Sequence, residues 1–166
     1  KRELTEVKDA ADSLYEAAGK LTDTSTSKSL FKKADKVTND ITSAVKDYVK
    51  NYNSLIEEAA DTTNSKVTGK VSFMTGQANA YKSSLEKVGI TINSDKTLSI
   101  DEDTFKKSDI SDVKKLFNGS GSMAYQTFVR ASDISSAAEN ASASVTSYGA
   151  DGMYNNYYNS AYNWYL

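Results

Sequence analysis

Apolar residues return at alternating steps of three and four through the first segment: Leu4, Val7, Ala11, Leu14, Ala18 and Leu21. That period predicts an amphipathic helix with a coiled-coil seam, its other faces carrying Lys, Glu and Asp. A polar stretch from Thr22 to Ser27 interrupts it, and Thr26 or Ser27 is placed to cap the next helix. The second run is Leu30, Ala34, Val37, Ile41, Ala44, Tyr48, Tyr52, Leu55 and Ala59, predicting a helix from Ser29 to Ala60. Such a helix would be about 48 Å long. A compact chain of this size is about 40 Å across, so an elongated molecule is expected. A third seam follows with Val67, Val71, Met74, Ala78, Tyr81, Leu85 and Val88. Gly69 and Gly76 within it each cost about 1 kcal/mol relative to Ala. They read either as a close approach or hinge, or, preferably, as propensity losses tolerated in a packed bundle.

The period then changes to two. Ile90-Thr-Ile92 and Leu98-Ser-Ile100 flank Asn93 to Thr97, the pattern of a small β-hairpin, with Gly89 ending the helix before it. Asp101 is placed to cap a short helix through Phe105, and Ser108 to cap another carrying Ile110, Val113, Leu116 and Phe117. Asn118 to Gly121 reads as a stop and flexible joint. A fourth long helix has Met123, Thr127, Ala131, Ile134, Ala138, Ala141, Val145 and Tyr148 on its seam; these small residues bury little area per turn, which marks it as the helix most dependent on a partner. The expected fold is therefore mainly α: an elongated, antiparallel, coiled-coil-like bundle of three or four long helices, with a β-hairpin and short helices at one end. The bundle is expected over residues 1–148, with the hairpin insert at about 89–118 and a Tyr/Asn-rich tail over 149–166.

Composition narrows the chemistry. The 166 residues include no Cys, His or Pro, but 23 Ser, 15 Thr and 12 Asn. Thiolate chemistry, His-based catalysis and the usual zinc ligands are absent, which argues for a non-enzymatic protein with no cofactor or metal. Lys and Arg total 20 against 22 Asp and Glu, interleaved, which argues against a nucleic-acid surface. No apolar run is long enough for a membrane span. The chain opens at Lys1 and not Met, as expected of a processed or truncated piece.

Laid on an EF-hand loop, Asn93, Asp95 and Glu102 fit three positions. Thr91 and Lys96 occupy positions needing a carboxylate and Gly, so turn and capping roles explain the acids better. Ser-x-x-Lys occurs at Ser25–Lys28 and Ser29–Lys32 without the companion elements of penicillin-binding serine enzymes. In the tail, Tyr154, Tyr158, Tyr162 and Tyr165 recur at helical steps. With Tyr157 and Trp164 they are candidate partner contacts, or else a face that packs back onto the bundle.

Three segments resemble the bacterial flagellar filament-cap family (flagellar hook-associated protein 2), of which this chain would be a reduced or divergent relative. Val45–Ile56 (VKDYVKNYNSLI) is similar to a helix reading roughly FV-x-x-YN-x-L, carried here by Tyr48, Val49, Tyr52, Asn53 and Leu55. Leu85–Phe105 resembles the family's L-x-x-[IV]-GI…D-G-x-L-x-[LI]-D-E segment through Gly89, Ile90, Asp95, Leu98 and Asp101, with Lys96 where the family usually has Gly. Asp112–Phe117 resembles its V-x-x-LF-x-G element through Leu116 and Phe117. The resemblance implies a helical stem domain of a structural protein exported to the flagellum or cell surface. Its implied partners are further copies or flagellin-like subunits, and host glycans or proteins. From the residues alone, two rivals stand beside this: a surface adhesin or binding module using the aromatic tail, and a cytoplasmic helical adaptor or export chaperone.

Overall fold

The computed structural model of the protein describes residues 2–25 and 27–151, the last eight by their backbone only. Among the described residues it is mainly helical, with one small antiparallel sheet. Helices α1 (Arg2–Thr22), α2 (Asn39–Ala59) and α3 (Ser65–Asn79) are followed by α4 (Lys82–Lys87) and by strands β1 (Ile90–Ile92) and β2 (Leu98–Ile100). Helices α5 (Glu102–Lys107), α6 (Ile110–Phe117) and α7 (Met123–Asp151) complete the chain order. Helix α1 packs most extensively on α7 and then on α2, while α3 contacts both α7 and α2, so the four close a ring around one core. Contacts run in opposite senses along α1 and α7. Gly19 lies against Phe128, and the Ser135 hydroxyl donates to Asp12 at 2.5 Å, so the pair is antiparallel. The core holds Leu4, Val7, Leu14 and Leu21 of α1, Ile41, Tyr48, Tyr52 and Leu55 of α2, and Ala131, Ile134 and Ala138 of α7.

The seam of the first helix and that of the fourth from Met123 to Ala138 are buried as their spacing predicts, the side chains of Val145 and Tyr148 lying outside the described ones, but the second helix starts ten residues late. Thr38 is its N-cap, accepting from the Ile41 backbone N–H at 3.1 Å. The preceding residues form turns instead, where the Ser29 hydroxyl accepts from the Phe31 N–H and Phe31 is fully buried. Burying an aromatic ring from a turn outweighs continuing the Lys-rich stretch as helix. The 48 Å helix that argued for elongation is therefore absent; α2 has 21 residues and spans about 31 Å.

The third seam is also two helices. At Ala80 and Tyr81 the backbone N–H groups bond to Gln77 and Ala78, three residues back, and this tightening redirects the chain into α4. Leu85 and Val88 are thereby buried. A Cβ added at Gly69 or Gly76 would touch nothing within 4 Å, so neither glycine permits a close helix approach.

The hairpin pairs Ile90 with Ile100, Thr91 with Ser99 and Ile92 with Leu98, as its alternation predicts. Gly89 has φ +83°, and a Cβ there would lie 2.9 Å from the Thr104 Cβ, so both conformation and space call for glycine. Asp101 caps α5 through the Thr104 N–H. The cap of α6 is Asp109, which accepts from the Ser111 N–H, and not Ser108. Ser108 closes α5 by donating its hydroxyl to the Phe105 carbonyl. Asn118 is pinned, its side-chain amide donating to the carbonyls of Leu21 at 2.8 Å and Asp23 at 3.2 Å. It thus satisfies carbonyls left open at the end of α1, and the expected flexible joint is a C-terminal clamp.

Candidate functional site

The three segments singled out in the sequence meet at one junction. Tyr48, Tyr52 and Leu55 line the buried face of α2, and Val49 is buried beside them. The Tyr48 ring meets Phe117 of α6 edge-on, with centroids 5.5 Å apart, and lies 6.0 Å from Tyr52. Leu116 and Phe117 are buried in the same cluster. The Thr127 hydroxyl donates to the Met123 carbonyl and so accepts from the Tyr48 hydroxyl, at 2.7 Å. Burial pushes both tyrosine hydroxyls well above their ordinary pKa, so they stay protonated.

Asn53 joins this helix to the hairpin. The hairpin bonds run from the Asn93 N–H to the Thr97 carbonyl and from the Asp101 N–H to the Gly89 carbonyl. Alternation along an antiparallel ladder then turns the N–H and C=O of Leu98 away from β1, toward the open edge. Asn53 takes both: its Nδ2 donates to the Leu98 carbonyl at 2.9 Å, and its Oδ1 accepts from the Leu98 N–H at 2.7 Å. One amide side chain thus acts as a one-residue third strand and closes an edge that would otherwise be open to pairing. Leu98 and Ile90 are buried beneath it. At the rim, Glu102 bonds Lys46 of α2 at 2.7 Å and Lys106 of α5 at 2.9 Å. These two ammonium groups pull the Glu102 carboxyl down to about 2.

The acids weighed as calcium ligands have other duties. Asp95 accepts from the Thr97 N–H and hydroxyl, which hold its carboxyl below the usual range. Asn93 bonds Thr97 and Ser99. Asp101 is a cap, and Glu102 faces two lysines. Among the described residues no three acidic side chains gather as a metal site. Both Ser-x-x-Lys spacings fall in the connection between α1 and α2, outside either helix.

Aromatics absent from the sequence reading stand on the surface. Tyr15 of α1 stacks on Phe128 of α7 with centroids 4.2 Å apart and planes 17° off parallel, and Tyr125 lies 6.0 Å from the same ring. Across α7, Phe73 of α3 is 54% exposed beneath the Arg130 guanidinium, 5.2 Å from the ring centroid. A sequence signal existed: Tyr15 and Phe128 fall off their helices' apolar seams. Tyr154, Tyr157, Tyr158, Tyr162, Trp164 and Tyr165, proposed for partner binding, lie outside the described residues.

Among the described residues no helix is long and apolar enough to cross a membrane. No protein-family model, curated protein or solved structure matches the chain.

Proposed function

We propose that the chain is a non-enzymatic assembly protein resembling the flagellar filament cap, acting at the flagellum or cell surface through helix–helix and subunit contacts. The observation that carries this reading is the convergence of its three resembling segments. Tyr48 and Asn53 of the first, Leu98 of the second and Phe117 of the third, far apart in the chain, form one hydrogen-bonded and ring-packed junction. A pattern shared because of a common stem fold would place its residues in this way. The reading includes an elongated, coiled-coil-like stem, supported by the antiparallel α1–α7 pair. Flagellin-like subunits or further copies are its partners, with no cofactor, metal or nucleic acid.

Fractionation of cells making the full-length protein tests the proposal. Recovery with sheared filaments or the outer surface is expected; recovery wholly in the cytosol overturns it and favours the adaptor or chaperone reading. The exposed Tyr15, Tyr125 and Phe73 favour one rival, an adhesin or binding module, because aromatic rings dominate interface hot spots. Glycan-array binding lost on Trp164→Ala or Tyr157→Ala would replace the filament reading with that one.

A further inference from the structure

Three large apolar side chains are exposed among the described residues, Phe73 at 54%, Tyr15 at 39% and Tyr125 at 38%, and all three border the outer face of α7. That face runs Tyr125, Val129, Ser132, Ser136 and Asn140, at steps of four, three, four and four, and none of the five is charged. Along one edge of it, α1 presents Tyr15 stacked on Phe128. Along the other, α3 presents Phe73 under the Arg130 guanidinium. Phe128 and Arg130 are two residues apart, so the two aromatic groups stand at nearly one height on α7, about 160° apart around its solvent side. The edges differ in charge. On α3, Lys66, Lys70, Phe73 and Gln77 share a flank by their 4-3-4 spacing, and Arg130 beside them is offset by Asp133 at 3.0 Å. On the α1 edge, Lys8 is offset by Asp12 at 2.7 Å, whereas Glu16, one turn on from Asp12, and Glu139, which borders a cleft with Lys8, are exposed. Asp9 and Lys20 stand further round α1, one of each sign. The α3 edge is thus left positive and the α1 edge negative.

We propose that the outer face of α7 is the docking site of a second copy of this chain, paired about a two-fold axis that runs along α7. Such an axis exchanges the two edges, so the Phe73–Arg130 edge of each copy meets the Tyr15–Phe128 edge of the other. Aromatic rings then meet aromatic rings twice, and the Lys66–Lys70 flank meets Glu16 and Glu139 twice. A two-fold axis across α7 would instead set each edge on its own kind, positive on positive and negative on negative, and like-charge repulsion opposes it. Between the edges, the uncharged strip lets the two α7 helices lie side by side in parallel without burying an ionised group. The contact closes on itself, so its product is a dimer and not a filament. One helix face with two edges makes a contact at the small end of stable interfaces, for which a Kd in the micromolar range is expected. This pairing does not rest on the filament-cap reading, and its failure in solution is distinct from recovery of the protein in the cytosol.

Sedimentation velocity of the full chain, from micromolar to millimolar concentration, is expected to show monomer passing to dimer and to nothing larger. Phe73→Ser and Tyr125→Ser, both at exposed rings, should each weaken the dimer about tenfold with the helical circular dichroism retained. Reversing one edge, by Lys66→Glu with Lys70→Glu or by Glu16→Lys with Glu139→Lys, should abolish pairing, and mixing the two reversed proteins should restore it as a heterodimer. All four of these side chains are exposed, so the mixing step separates lost pairing from lost folding. The chain has no Cys, so a single introduced one reports its own surroundings. Val129→Cys and Asn140→Cys, about 16 Å apart along α7, should each form a disulfide between copies under mild oxidation, because a parallel pair sets every seam position against itself. A chain that stays monomeric overturns the proposal, as does a dimer indifferent to the ring and charge changes or one not restored by mixing. Crosslinking at only one of the two cysteine positions marks an antiparallel pair, and growth beyond dimer marks a head-to-tail contact; either result equally overturns it.

Discussion

The hairpin end of the molecule and the α1–α7 pair are both helix-anchored and both well buried, yet they are held by different means. At the hairpin end a few large or polar groups make specific, long-range contacts: Tyr48 on Phe117 and Thr127, Asn53 on Leu98, Glu102 on two lysines. Along α1 and α7 many of the buried residues are small, Ala11, Ala17 and Ala18 on one helix and Ala131 and Ala138 on the other, beside the Tyr15–Phe128 stack and with the Ser135–Asp12 hydrogen bond as a polar pin. A junction of large side chains concentrates its energy in single residues, whereas a seam of small ones spreads it over many. Point substitutions therefore fall unequally on the two regions.

The largest effect is expected from Tyr48→Ala, which empties a fully buried ring site and takes from the Thr127 oxygen its donor. It should cost about 4 kcal/mol. A urea midpoint shift corresponding to less than about 1 kcal/mol would erase the contrast with the α1–α7 seam. Next comes Asn53→Ala, expected to cost about 2 kcal/mol because both backbone groups of Leu98 lose their partner. Asp12→Ala at the other interface removes a half-exposed pair and should cost under about 1 kcal/mol. Equal losses from these two would show that the polar pin matters as much as the strand-like amide. Lys96 holds φ +76° at the hairpin tip, so Lys96→Gly relieves a left-handed conformation and should stabilise by about 0.5–1 kcal/mol. A fall in melting temperature would remove that assignment.

The smallest effect concerns acid. Glu102 titrates at about 2 in the folded chain, below its ordinary 4.5. A depressed carboxylate stabilises the fold above its unfolded pKa, and the contribution is lost as pH falls from about 4.5 toward 2. Because the group is at the surface, the loss should be slight and should shrink in salt. Glu102→Gln should flatten that part of the acid profile; an unchanged profile would assign it to other carboxylates.

How much was legible in the sequence follows the range of each contact. The seams of α1 and α7, the hairpin, the Gly89 turn and the Asp101 cap all depend on neighbours within a few residues, and spacing exposes them. The start of α2 was hidden because Leu30, Ala34 and Val37 continue the helical phase, while the contact that overrides it, burial of Phe31, comes from the rest of the fold. The break after α3 leaves no Gly or Pro at Ala80 and Tyr81 to announce it. For the site, the residue types at Tyr48, Asn53 and Leu98 stood out through resemblance. That the Asn53 amide meets a strand edge 45 residues away is geometry, which no local pattern encodes.

The pairing of α1 with α7 also orders events in time. Helix α1 is made before α7, and α7, the helix it packs on most, begins about a hundred residues later. At translation rates of about 5–20 residues per second, that interval is roughly 5–20 s. The hairpin junction, whose pieces lie between residues 39 and 127, is complete before α7 has left the ribosome in full. For those seconds the nascent chain presents one half-covered amphipathic helix, and the apolar seam of that helix waits in water until the fold closes.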